Sequence, residues 1–135
     1  MADEDCIFCK IAAGEAPAAV VHEDERTIAF MDINPATRGH MLVIPRRHAR
    51  DLLEIDAEDL SATVAVGRQL ARRAMERLGA DGVNLLNSCG RAAWQVIFHF
   101  HLHVIPRYES DPLRLPWVPG EGDKDEIAAA AAQLR

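Results

Sequence analysis

The sequence lacks any apolar run approaching the length of a bilayer span, which excludes a hydrophobic transmembrane segment. Cysteine is scarce and odd in number, three in all, and the chain opens on the acidic stretch MADEDCIFCK. A disulfide framework is therefore not expected, and a cytoplasmic location is. Basic residues are outnumbered, 15 Lys and Arg against 21 Asp and Glu, for a formal charge of -6. That balance argues against a nucleic-acid polymer as partner, and a membrane partner is not expected either. An anionic small molecule would need local help from Lys10, Arg38, Arg91 or Arg107. Residues 5–109 contain no internal repeat, low-complexity linker or break in composition.

What is present reads as one domain over residues 1–135, with a core at about 5–109 and a Pro-rich segment and terminal helix over 110–135. CIFCKIAAGE reads as a short helical turn ending at Gly14. RTIAFMDINP reads as a strand with Thr27, Ala29 and Met31 on one face and Ile28, Phe30 and Asp32 on the other, closed by a turn at Asn34-Pro35. HMLVIPRRH supplies a second strand stopped near Pro45. A long helix begins at Asp56 as N-cap and ends near Gly79, with Leu60, Val64, Ala71, Met75 and Leu78 along one stripe. Strands follow over Val83–Asn87 and over WQVIFHFHLHVIP, and Asp123 caps a terminal helix. The order strand, strand, helix, strand, strand favours an antiparallel α+β layer.

The run HFHLHVIPR, residues 99–107, holds three of the six histidines. On one extended strand His99, His101 and His103 share a face, and Phe100, Leu102 and Val104 share the other. Two chemistries are open: a His-x-His pair and a third ligand can bind a catalytic metal and activate water, or one neutral imidazole can act as nucleophile beside a hydrogen-bonding neighbour. Cys6-x-x-Cys9 is likewise open between a redox pair and half of a zinc site. Cys89 reads as a small packing residue.

The blocks CIFCKIAAGEAP, TIAFMDINPATRGHMLVIPRRH, VNLLNSCGRAAWQVIF and HFHLHVIPR, in this order, resemble the histidine triad (HIT) family, in particular its small bacterial Hint-like branch. The resemblance implies a HIT-like fold: a five-stranded antiparallel sheet with one long helix and a short N-terminal helix, in a homodimer with a continuous sheet. It implies cleavage between the α-phosphorus and the leaving group of a purine nucleoside phosphoramidate or nucleotidyl ester, through a covalent nucleotidyl-histidine. The catalytic set would be His101 as nucleophile, His103 holding phosphoryl oxygens or leaving group, His40 in proton relay, and Gln95. Ile7, Phe8, Ile11, Phe30 and Ile33 would enclose the base, Asp32 would accept both ribose hydroxyls, and Ser88, rather than Asn87, would contact ribose or phosphate. Cys6, Cys9, His48 and His99 would hold a structural zinc, with no catalytic metal required.

Three alternatives stay open: dinucleoside polyphosphate hydrolysis, a metal-dependent hydrolase in which all three histidines share one ion, and a nucleotide-binding or interaction module with little turnover. The sequence also departs from the family pattern. Trp94 stands where Hint-like proteins commonly have Gly, and Val96 where they often have a hydroxyl residue. An indole there would change the phosphate wall or shift the loop. Asp32 as a plain turn cap, and the apolar residues as plain core, are the structural alternatives. Trp117 either packs near a partner's site or pins the tail.

Overall fold

The computed structural model describes residues 3–135, so Met1 and Ala2 of the expected domain lie outside the described residues. Helix α1 (Ile7–Ala12) precedes β1 (Val20–Glu23), β2 (Thr27–Met31) and β3 (Met41–Pro45). The long helix α2 (Ala57–Arg77) leads to β4 (Gly82–Leu86), a 3-10 turn (Arg91–Ala93), β5 (Leu102–Arg107) and α3 (Lys124–Leu134). The strands form one antiparallel sheet in the order β1-β2-β3-β5-β4. This is the expected α+β class. Among the described residues, no helix is long and apolar enough to cross a membrane.

Both faces of the central strands are covered, which explains why they read as nearly continuous apolar runs. Ala29, Met41, Val43, Leu102 and Val104 face α2, where they meet Val66, Leu70 and Ala74. Ile28, Phe30, Leu42 and Ile44 face the opposite way and pack with Phe8 of α1. His103 pairs in register with Leu42, so it stands on the α1 side of the sheet, away from α2. α2 starts where Asp56 accepts the Glu58 N–H, with Glu58 and Asp59 at its positive end. Gly67 allows α2 to lie close on β5, since a Cβ there would come 2.7 Å from Leu102.

Three sequence readings need correction. The buried stripe of α2 is Asp59, Thr63, Val66, Gly67, Leu70 and Ala74, whereas Val64 and Met75 are exposed. Of the expected stripe, Leu60 and Leu78 pack against the core, while Val64 and Met75 face away from the sheet. Strand β1 was not separable from its loop, because a mostly exposed edge strand of four residues has no apolar alternation.

The third correction concerns the histidines: only His103 lies on a strand. The expected strand from Trp94 to Pro106 begins at Leu102. Trp94 takes a left-handed backbone at φ 75° and ends the 3-10 turn, and the Phe100 N–H leaves the sheet for the Ala49 carbonyl at 2.7 Å. Phe100, Leu102 and Val104 still point together into one core, and the His99 and His101 rings still stand on the other side, against Phe8 of α1, although only His103 is held there by a strand. At the other end, α3 begins at its Asp123 cap and buries none of its residues.

Candidate active site and metal centre

The first histidine of the run separates from the other two. His99, fully buried, turns its Nδ1 toward three donors from distant segments: Cys6 Sγ at 3.3 Å, Cys9 Sγ at 3.4 Å and His48 Nδ1 at 3.2 Å. Cys9 Sγ lies 3.3 Å from His48 Nδ1. A tetrahedral zinc with Zn–N of about 2.0–2.1 Å and Zn–S of about 2.3 Å has ligand-to-ligand edges of roughly 3.3–3.8 Å. The four donors fit that ion in number, type and spacing.

Their surroundings fit it too. The His99 Nε2–H donates to the Pro45 carbonyl at 2.8 Å, which leaves Nδ1 with its lone pair facing the centre. The sulfurs accept main-chain N–H groups, Cys6 from Cys9 and Cys9 from Asp3, both at 3.4 Å. Burial pushes the Cys6 thiol up and holds the His99 imidazole down at about 4.

The other two histidines face each other, with ring centroids 5.1 Å apart. Burial lowers the pKa of His101, lowers that of His103 to about 4, and lowers that of His40, so all three rings are neutral near pH 7. In a neutral imidazole one nitrogen donates and the other accepts, so each ring's fixed partner assigns its tautomer. The His99 carbonyl lies 2.8 Å from His101 Nδ1, which must carry the proton; Nε2 keeps a free lone pair. The Ala36 N–H donates to His40 Nδ1 at 2.9 Å, so the His40 proton sits on Nε2. That Nε2–H points at His103 Nδ1 at 2.9 Å, and so His103 carries its own proton on Nε2. The result is an unshared lone pair on one ring beside a donor N–H on the next.

Asp32, His40 and His103 also converge closely enough to be considered as metal donors. The hydrogen bonding disfavours it. A cation on His40 Nε2 would push the proton to Nδ1, into the Ala36 N–H. Gly39 holds the turn before His40 at φ 89°, and its missing Cβ leaves room for Leu78.

The remaining expected residues divide. Phe8, Phe30 and Ile11 share one cluster, with the two Phe rings 5.5 Å apart and Phe8 edge-on to His101 at 5.2 Å. Ile7 and Ile33 are exposed. Asp32 uses Oδ1 as a turn cap for the Asn34 N–H at 2.8 Å and turns Oδ2 toward His40 Nε2 at 3.5 Å. The Gln95 side chain binds main chain throughout: it accepts from Gly90 N–H and donates to the Arg50 and Ile97 carbonyls, bracing the loop before His99.

The sequence model of the HIT domain matches residues 13–110. The chain belongs to the HIT domain family. An uncharacterised HIT-like protein of Mycobacterium tuberculosis is 47% identical over 108 residues, which span 80% of this chain and 75% of that protein. The crystal structure of a zinc-bound histidine triad family protein from Mycobacterium smegmatis is 44% identical, with a TM-score of 0.79, covering 96% of this chain and 95% of that one. The histidine triad nucleotide-binding protein of Candida albicans is 33% identical, with a TM-score of 0.83 over 96% of this chain and 94% of that one.

Within this HIT chain two loop residues stand out from the sequence reading. Trp94 is exposed and is the one non-glycine residue at positive φ among those described. The loop thus keeps a backbone that glycine adopts freely, at a cost of roughly 1–2 kcal/mol for an L side chain. Asn87, the lesser of the two candidates in the sequence, donates from Nδ2 to the His101 carbonyl at 3.0 Å, and its buried Oδ1 has no partner among the described residues. Ser88 is buried next to it. Asparagine's two-sided amide was the available signal, since it can brace a backbone and still offer an acceptor.

Proposed function

We propose that this HIT protein is a nucleotide hydrolase or transferase acting at the α-phosphorus of purine nucleoside phosphoramidates or nucleotidyl esters. The observation that carries this reading is the pairing of a free His101 Nε2 lone pair with an adjacent His103 Nε2–H donor. The imidazole Nε2 attacks phosphorus, and the leaving group departs with the bonding electron pair and takes up the His103 Nε2 proton, which the attacking water restores in the second step. Water then displaces the imidazole and releases nucleoside monophosphate. The nucleotidyl ring is cationic, and its Nδ1–H to the His99 carbonyl strengthens as charge develops. His103 holds the phosphoryl oxygens or the leaving atom. His40 acts by setting the proton position on His103, and Gln95 by bracing the phosphate-side loop.

Phe8, Phe30 and Ile11, with Ile7 and Ile33 at the open edge, suit a purine face, and the remaining acceptor capacity of Asp32 suits ribose hydroxyls. Ser88 and the unpartnered Asn87 Oδ1 are further candidates for ribose or phosphate. Cys6, Cys9, His48 and His99 are read as a structural zinc site, in keeping with the donor geometry and the zinc-bound relative. When bound, zinc would tie α1 to the segments before α2 and β5. Ligand thiols of this kind persist in the reducing cytoplasm. A homodimer joined through β4 is supported by the exposed Leu85 and Leu86 on that edge strand and by Val64 and Met75 on α2.

Brief incubation with an adenosine phosphoramidate, an alkaline denaturing quench in which a phosphorus–imidazole bond survives, and intact-mass measurement test the reaction. The reading expects a nucleotidyl mass increment that His101→Ala abolishes. A metal-hydroxide hydrolase would turn over with no increment. Tight nucleotide binding without turnover would support the binding-module reading, which the bulky Trp94 in a glycine-type backbone favours.

A further inference from the structure

The donor centre and the reacting ring are joined through one residue. His99 places its ring among Cys6, Cys9 and His48, and its carbonyl holds the His101 Nδ1–H at 2.8 Å. We propose that His99 and Phe8 are positioning residues, through which the four-donor centre holds the His101 ring in the tautomer that attacks phosphorus. The inference rests on the reading of His101 as nucleophile.

Two routes connect the centre to that ring. The first is the peptide unit between His99 and Phe100. Its carbonyl accepts from His101, and its N–H donates to the Ala49 carbonyl at 2.7 Å. Both ends of this peptide therefore adjoin donor residues, His99 on one side and His48, next to Ala49, on the other. The His99 ring has no freedom of its own, since Nε2–H is bound to Pro45 and Nδ1 faces the centre. Fixing the four donors thus fixes the plane of the carbonyl that assigns the His101 tautomer.

The second route is Phe8, which lies between the two cysteines in sequence. Its buried ring stands edge-on to His99 at 6.0 Å and to His101 at 5.2 Å. Helix α1 has six residues, too few to be stable alone, so Phe8 is held against His101 by its packing on Phe30, Leu42 and Ile44 together with the anchorage of the helix at Cys6 and Cys9 on either side of it. A His101 ring released from the His99 carbonyl would exchange between tautomers. The form protonated at Nε2 has no lone pair to offer phosphorus.

The test uses the full-length protein loaded with zinc, dialysed against a chelator, and reloaded. Long-range proton–nitrogen NMR of the imidazoles reads the tautomer of His101 directly, with no substrate present. The expected result is a single Nδ1–H form in the zinc-loaded and reloaded protein and an averaged signal in the zinc-free protein. Identical His101 signals in both states would overturn the proposal.

Phe8→Leu keeps all four donors and decides the second route even if the zinc-free protein unfolds. It should retain one equivalent of zinc by elemental analysis, lose the single-tautomer signal, and lose roughly tenfold to a hundredfold in kcat. If its His101 signal is unchanged and only KM rises, Phe8 merely walls the base and that route is overturned. A protein with a zinc-dependent His101 signal and no nucleotidyl adduct would refute the catalytic reading while sustaining the positioning one.

Discussion

Two clusters of imidazole and acid or thiol groups lie on the α1 side of this sheet, and each brings enough donors together to hold a metal on paper. They differ in what the outer nitrogen of each ring does. In the Cys6, Cys9, His48 and His99 set, His99 gives its outer N–H to a carbonyl, so the inward nitrogen is a lone pair. In the Asp32, His40 and His103 set, His40 receives an N–H from Ala36, so the inward nitrogen bears a proton. One backbone atom, acceptor in the first case and donor in the second, separates a ligand site from a hydrogen-bond chain.

The comparison can be broken most forcefully at Cys9. Cys9→Ala should drop zinc, measured by elemental analysis, from one equivalent to near none, and cost about 3 kcal/mol or more in chemical denaturation, because buried partners lose their counterpart. His40→Ala should leave zinc at one equivalent. If His40→Ala lost the metal as Cys9→Ala does, the division between the clusters would be wrong.

The second cluster should show itself in rates. His103→Ala is expected to lower kcat by about 10²- to 10⁴-fold with zinc content unchanged, from the loss of a donor beside the reacting phosphorus. His40→Ala should lower it less, since His40 acts only through the tautomer of its neighbour. Steady-state kinetics on a phosphoramidate, run beside metal analysis, reads both.

A smaller effect comes from pH. The His103 imidazole is held at about 4 in the folded chain, mainly by burial, whereas an unfolded histidine titrates near 6.5. Between these values the unfolded state binds a proton that the folded state does not. Stability should therefore be fullest above pH 6.5, fall as the pH drops toward 4, and level off below that. The slope from this one group is at most about 1.4 kcal/mol per pH unit, and less for a partly exposed ring. Denaturation of His103→Gln across this range should show a shallower fall, and an unchanged slope would contradict the assignment. Trp94→Gly should change stability least, within about 1 kcal/mol, because relief of the left-handed backbone offsets the added freedom of the unfolded chain.

Much of the fold and of the donor sets was legible in the sequence. The both-faced strands TIAFM and MLVIP announce themselves by unbroken apolar content, and the Asp56 and Asp123 caps mark their helices. The histidine run points to chemistry, but strand alternation holds only for an extended backbone, and β5 begins at Leu102. Trp94 in a glycine conformation and the Phe100 N–H bond to Ala49 remove His99 and His101 from the strand, and neither can be seen in residue spacing. The helix stripe was misplaced for another reason. Val64 and Met75 are as apolar as core residues, and periodicity alone does not say which of two adjacent stripes meets the sheet. The tautomer assignments depend on backbone atoms of Ala36, Pro45 and His99, which every residue type carries and no sequence pattern reveals.

The proposed chemistry turns on a bond between phosphorus and one ring nitrogen. Phosphorus NMR of protein labelled with nitrogen-15 at histidine, trapped by alkaline denaturation during turnover of a nucleoside phosphoramidate, should show the phosphorus signal split by a single nitrogen, with the split signal missing in His101→Ala. A nucleotidyl signal without that coupling, or one that persists in His101→Ala, would contradict it.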